Sequence, residues 1–153
     1  MADKDQIDDL MDSGTLLELV VVIIILGVLA TLGFTQYGRM VEKMRGAEAR
    51  QILGDCRKLA IAYRLANGTI TGITNADANI GTGADQIPYE CRPTHYFNYD
   101  SDGPSVDPVV TFRAYRCHSG GKTPQLSGTD TTTLILTSNL VTGVDTWGGN
   151  GGY

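Results

Sequence analysis

Residues 16 to 34 form an apolar run of 19 residues, LLELVVVIIILGVLATLGF, that contains a single charged side chain, Glu18. As a helix the run reaches about 28 Å, the thickness of a bilayer's hydrocarbon. A buried helix of a globular core keeps a polar face, and this segment has none for four turns. The residues predict a membrane span. A carboxylate inside such a span costs roughly 2.5 to 3.5 kcal/mol on insertion scales, so Glu18 needs an explanation.

The flanks sharpen the problem. Residues 1 to 13, MADKDQIDDLMDS, carry five Asp against one Lys, whereas a secretory signal begins with positive charge. Beyond the span, Arg39, Lys43, Arg45 and Arg50 stand against Glu42 and Glu48. The positive-inside rule by itself places that side in the cytoplasm. With 153 residues in all, about a hundred are left for a globular core. The net charge of −5 and the lack of a basic patch give no sign of a nucleic-acid partner.

Helical spacing continues past the span. Tyr37, Met40, Val41, Met44, Ile52, Leu53, Cys56, Leu59, Ala60 and Tyr63 recur at three and four residues, with Arg39, Lys43, Glu48, Arg50, Arg57 and Arg64 between them. The helix is expected to loosen between Gly33 and Gly38 and to stop at Asn67-Gly68. Five segments follow: an acidic leader-like stretch at 1–13, a hydrophobic helix at 14–34, an amphipathic helix at 35–66, a Gly/Asn/Thr-rich loop at 67–88, and an antiparallel sheet domain with a C-terminal tail at 89–153. Strands are predicted at His95–Tyr99, Val109–Cys117 and Thr132–Leu140, with DSDGPS turning between the first two. The tail, DTWGGNGGY, predicts little regular structure. The fold class is α+β: a long N-terminal helix on a small antiparallel sheet.

Centring the hairpin on Pro104 gives opposed residues a position sum of 208, which faces Tyr96 with Phe112 and Cys91 with Cys117. Opposed Cα atoms about 4.5 to 5.5 Å apart suit a disulfide. Its loop would stabilise the domain by roughly 3 kcal/mol in the chain-entropy model. Cys56, on the apolar helix face, then stays a buried thiol, and the sheet domain belongs in an oxidising compartment. Zinc on Cys91, His95, Cys117 and His118 is the competing reading, without a recognised finger spacing. Asp100, Asp102 and Asp107, or Asp145 beside Trp147, offer scattered carboxylates for calcium and read more simply as solvated turns. Asn67-Gly68-Thr69 is a glycosylation sequon that reads first as a helix stop. No catalytic constellation, phosphate loop or cofactor motif stands out, so the expectation is a non-enzyme without a cofactor.

TLLELVVVIIILGVLA, followed by Gln36-Tyr37 and including Gly27, resembles the N-terminal signature of type IV pilins, and the likeness covers residues 14 to 50. The C-terminal half is similar to the family in outline only. The resemblance implies a filament subunit in which Glu18 neutralises the free N-terminal amine of a neighbouring copy, while Leu16, Leu17, Val20, Ile24, Gly27 and Gly33 pack in a dry helical core. It implies a leader cut around Ser13, Gly14 and Thr15. Aligned on Glu18, Ser13 takes the place of the family's leader Gly and Gly14 that of its first mature Phe. Aligned on Gly14, Thr15 becomes the first mature residue. Thr35 stands where many pilins carry a helix-breaking Pro. Expected partners are other copies of the chain, the inner membrane before assembly, a prepilin peptidase and the pilus assembly machinery. The expected location is the inner membrane, then the cell surface. A major pseudopilin of type II secretion and a membrane-anchored binding domain that never polymerises are the alternatives.

Overall fold

The computed structural model describes residues 4–103, 105–122 and 132–151, without the side chains of 4–14 and 35. The chain divides into two compact units, Met1–Val41 and Glu42–Tyr153. Helix α1, Lys4–Asn67, contributes to both. It is helical through Gly33 and Gly38, so the loosening expected there does not occur. An apolar segment offers no other partner for freed backbone groups, and that cost exceeds the ~1 kcal/mol that each glycine subtracts from helix propensity.

The helix ends where the sequence says it should. Gly68 adopts φ +74° and its N–H donates to the Arg64 carbonyl at 2.8 Å, while Asn67 Nδ2 donates to the Tyr63 carbonyl at 2.9 Å. A Cβ disfavours that left-handed conformation, which is why glycine closes so many helices.

In the second unit the C-terminal half of α1 lies on an antiparallel meander of β3 to β6. A short parallel pair precedes it, β1 (Ile80–Gly81) and β2 (Ile87–Pro88), inside the segment expected to be all loop. The meander is β3 (Phe97–Ser101), β4 (Val109–Arg116), β5 (Thr133–Asn139) and β6 (Asp145–Gly148), each strand beside its chain neighbour. Period-two alternation points Phe97, Tyr99, Val110, Phe112, Ala114, Leu134 and Leu136 inward. Ala49, Leu53, Cys56 and Ala60, spaced four, three and four, meet them from the helix, and Ile70, Ile73, Ala78 and Ile80 complete the core. Helix, small antiparallel sheet and disulfide make an α+β arrangement compatible with a pilin-like fold.

Two expectations about the sheet are corrected. The β3–β4 register pairs Phe97 with Arg116 and Ser101 with Phe112, a position sum of 213 rather than 208. The centre of the hairpin lies between Val106 and Asp107, because β3 runs on to Ser101 before the chain turns. Asp102 N–H still reaches the Thr111 carbonyl at 2.9 Å, and Val106 folds back on Val109. The assumed centre, Pro104, lies outside the described residues. The tail was expected to be irregular, yet Asp145–Gly148 pairs with β5 along Ile135–Ser138. Tertiary pairing and an anchored Asp145 override its glycine-rich composition.

Candidate assembly surface

α1 runs unbroken from Lys4 to Asn67, so its side chains decide what the first unit can do. From Leu16 to Phe34 every bulky apolar side chain is exposed, from Val20 at 46% to Phe34 at 79%. The exposure runs around the whole circumference: Leu16, Leu17 and Ile24 are no more covered than Ile23 or Leu26, and Val20, Val21 and Val22, on three successive faces, are equally exposed. This is one stretch of helix long and apolar enough to cross a membrane.

Glu18 is exposed within that surface. Along the sequence no Lys, Arg or His occurs between Lys4 and Arg39, so no cation stands three or four residues from Glu18 on its own helix. Thr15 is exposed one turn before it, and Ser13 and Gly14 lie on the helical backbone with their side chains outside the described residues. Gly27, Gly33 and Gly38 are open positions, for an added Cβ at any of them meets nothing within 4 Å. Thr31 donates to the Gly27 carbonyl at 2.8 Å, a local bond that needs no second chain.

The second unit fixes α1 to its sheet by polar contacts at several points. Near Glu42, the carboxylate receives Arg116 Nε at 3.3 Å and also pairs with Arg45. Burial alone would raise the Glu42 pKa, but the hydrogen bonds and charges of Arg116 and Arg45 outweigh it and hold the carboxyl below its ordinary value. Glu48 Oε1 accepts the Tyr96 N–H at 3.2 Å. Arg45, Arg116 and Lys122 all lie over the Tyr96 ring, at 5.2, 5.5 and 5.0 Å from its centroid. Further on, Arg57 Nε donates to Asp145 at 2.8 Å and Ser138 Oγ donates to the same carboxylate at 2.6 Å. In the last turn, Arg64 grips Asp107 at 2.9 and 3.3 Å, and Asp107 also accepts the Ile70 N–H at 3.1 Å. The Arg64 hydrogen bond, the Ile70 N–H and the Arg64 charge together keep Asp107 below the ordinary carboxylate range despite slight desolvation.

Glu48, Arg57 and Arg64 stand apart from the apolar face by their spacing, yet all three bond to the sheet side. A signal was present: Arg57 follows Cys56 and Arg64 follows Tyr63, so both flank the buried stripe at a spacing of seven. Tyr37, Met40 and Met44, grouped with that stripe, are instead 69%, 64% and 67% exposed.

Cys91 and Cys117 are bonded, with Cα atoms 5.7 Å apart. The pair is the expected one, but not by the expected opposition. Cys117 N–H donates to the Tyr96 carbonyl at 3.0 Å, and the chain before β3 turns at Arg92–His95 to bring Cys91 back alongside. The bond withdraws both thiols from the zinc reading. Asp102, Asp107 and Asp145 each pair with an arginine, and Asp100 accepts from Asn75 Nδ2 at 2.7 Å. These acids are therefore structural braces, and no metal-ligating group forms among the described residues. Cys56 is fully buried with its thiol pKa pushed up to about 12, chiefly by burial and then by the Asp55 charge.

Comparison with protein-family models, with curated proteins and with solved structures gives no match.

Proposed function

We propose that this chain is the structural subunit of a helical extracellular filament resembling a type IV pilus, polymerising through the Leu16–Phe34 surface. The observation that carries the reading is Glu18: a carboxylate in an exposed apolar helix, with no cation on that helix within reach. A bilayer covers the apolar side chains but leaves the charge uncompensated. A neighbouring copy covers both, if cleavage around Ser13–Thr15 supplies a free N-terminal amine to pair with Glu18. The prepilin peptidase, the assembly machinery and the inner membrane are the partners this requires.

The open glycines support the same reading. Gly27 and Gly33 weaken the helix by up to about 1 kcal/mol each, and an added Cβ at either meets nothing within 4 Å among the described residues. Between helices in an apolar medium, small residues let backbones approach closely.

The test is Glu18→Ala, comparing the membrane fraction with filaments sheared from cells. The expected outcome is a folded, membrane-bound subunit and at least tenfold fewer filaments. Undiminished filament yield would sink the role given to Glu18. The intact mass of sheared protein locates the cleavage point in the same preparation.

A further inference from the structure

Between Leu16 and Gln36 the polar side chains among the described residues are Glu18, Thr31 and Gln36. Thr31 is satisfied within its own turn by the Gly27 carbonyl. Glu18 and Gln36 are both exposed, and among the described residues neither side chain has a hydrogen-bond partner.

Their spacing is the informative quantity. Gln36 follows Glu18 by 18 residues, five whole turns, so both side chains leave α1 on one face about 27 Å apart. Val22, Ile25, Leu29 and Leu32 fill that face between them, each within about 40° of the line joining the two. An apolar strip is thus closed at one end by an acceptor without a donor. At its other end stands an amide with two N–H donors to give.

No single copy can join the two groups across that length. Two parallel copies can, when this face is turned inward on both and one is displaced by five turns along the helix direction. The displacement is not open to copies lying together in a bilayer, where every apolar run sits at the same depth. There Gln36, two residues past Phe34, is at the level of the hydrated headgroups. A copy lifted along its own axis into a dry helical core loses that water, and its amide must find a protein partner or remain buried and unpaired.

We infer that Gln36 is a second assembly residue, whose side-chain amide donates to the Glu18 carboxylate of a neighbouring copy staggered by about 27 Å. The inference rests on the filament reading and adds a register to it. It leaves the N-terminal amine its place, because a carboxylate has about four acceptor sites. An amine released around Ser13–Thr15 lies about one turn from Glu18, so it comes from a different neighbour, displaced far less.

Two substitutions of similar length and helix propensity, Gln36→Glu and Gln36→Lys, differ in the sign of the charge they bring to Glu18. Membrane-bound subunit and sheared filaments are quantified for each. Gln36→Glu should lower filament yield at least tenfold with the subunit level unchanged, and Gln36→Lys should keep the yield within twofold of the unaltered chain. Equal yields from the two overturn the pairing. The stagger is read separately. Val22 and Met40 are also five turns apart and are 46% and 64% exposed. Replaced together by Cys in a Cys56→Ala chain, they should let a short bismaleimide link sheared filaments into a ladder, and neither replacement alone should do so. Filaments that form but give no ladder, or a ladder from one replacement alone, overturn the stagger and leave the filament reading standing. Absence of filaments from the unaltered chain removes both.

Discussion

The Glu42 carboxylate meets Arg116 at 3.3 Å on Nε and 3.4 Å on Nη2, tying α1 to the end of β4 across 74 positions of sequence. The Arg116 side chain is fully buried, and its Nη1 also donates to the Tyr96 carbonyl at 3.0 Å. Glu42 keeps a third of its side chain in water. The two partners are therefore unequal: one can be resolvated when the pair is broken and the other cannot.

Glu42→Ala removes the carboxylate from a buried guanidinium. Breaking a fully buried pair costs roughly 3 to 5 kcal/mol, and the exposure of Glu42 reduces the expectation to about 2 kcal/mol. Combining it with Arg116→Met should recover part of that loss. Urea unfolding of the single and double variants checks both points; a double variant less stable than Glu42→Ala would refute the asymmetry.

Stability should fall on the acid side. Asp107 and Glu42 both have carboxyl pKa values held below their ordinary 3.8 and 4.5. The unfolded chain therefore takes up protons first as pH drops. The stabilisation is present above those ordinary values and is lost as pH falls through the lower, folded ones. Urea midpoints between pH 6 and pH 2 should drop below about pH 4.5, and the drop should be shallower in Arg64→Gln. An unchanged slope in that variant would show that the Arg64–Asp107 pair does not set it.

The Cys56 thiol carries the opposite sign. Its pKa rises from 9.0 to about 12, so its contribution is complete below pH 9 and disappears as pH rises toward 12. Between those limits the native protein should lose stability, less so in Cys56→Ala, which has no thiol to ionise. At pH 8 a thiol reagent should modify Cys56 no faster than the protein unfolds. Rapid labelling of native protein would contradict its burial.

Gly27→Ala tests the glycine argument from the assembly side. The substitution should raise helix stability by about 1 kcal/mol, since its Cβ meets nothing in the subunit. Filament yield should nevertheless fall several-fold. Equal yield would place Gly27 outside the interface.

What the sequence could disclose was set by the range of the interactions. The helix and its end at Asn67-Gly68 depend on local spacing and a left-handed glycine, and both were legible. The disulfide pair was legible for the wrong reason: the hairpin is centred between Val106 and Asp107 and not on Pro104, which shifts the register by five in position sum. Strand β6 was invisible because DTWG has no strand pattern of its own. It is held by Ile135–Ser138 and by Arg57, contacts made across most of the second unit. On the candidate surface, the apolar run and Glu18 were plain in the residues. The arginines that brace the helix to the sheet were not, since their partners lie 43 to 88 positions away in sequence.

The meander order also fixes a timetable. Each strand of β3 to β6 pairs only with its neighbour along the chain, so the sheet can grow hairpin by hairpin as the polypeptide emerges. The helical face that covers it is made first and must wait. Ala49, Leu53, Cys56 and Ala60 have no complete cover until Leu134 and Leu136 have appeared, and Arg57 has no Asp145 until almost the whole chain is out. Any factor that escorts this protein through synthesis or export therefore has to shield that stripe for most of the chain's length, and a premature stop before β5 would leave its cover permanently incomplete.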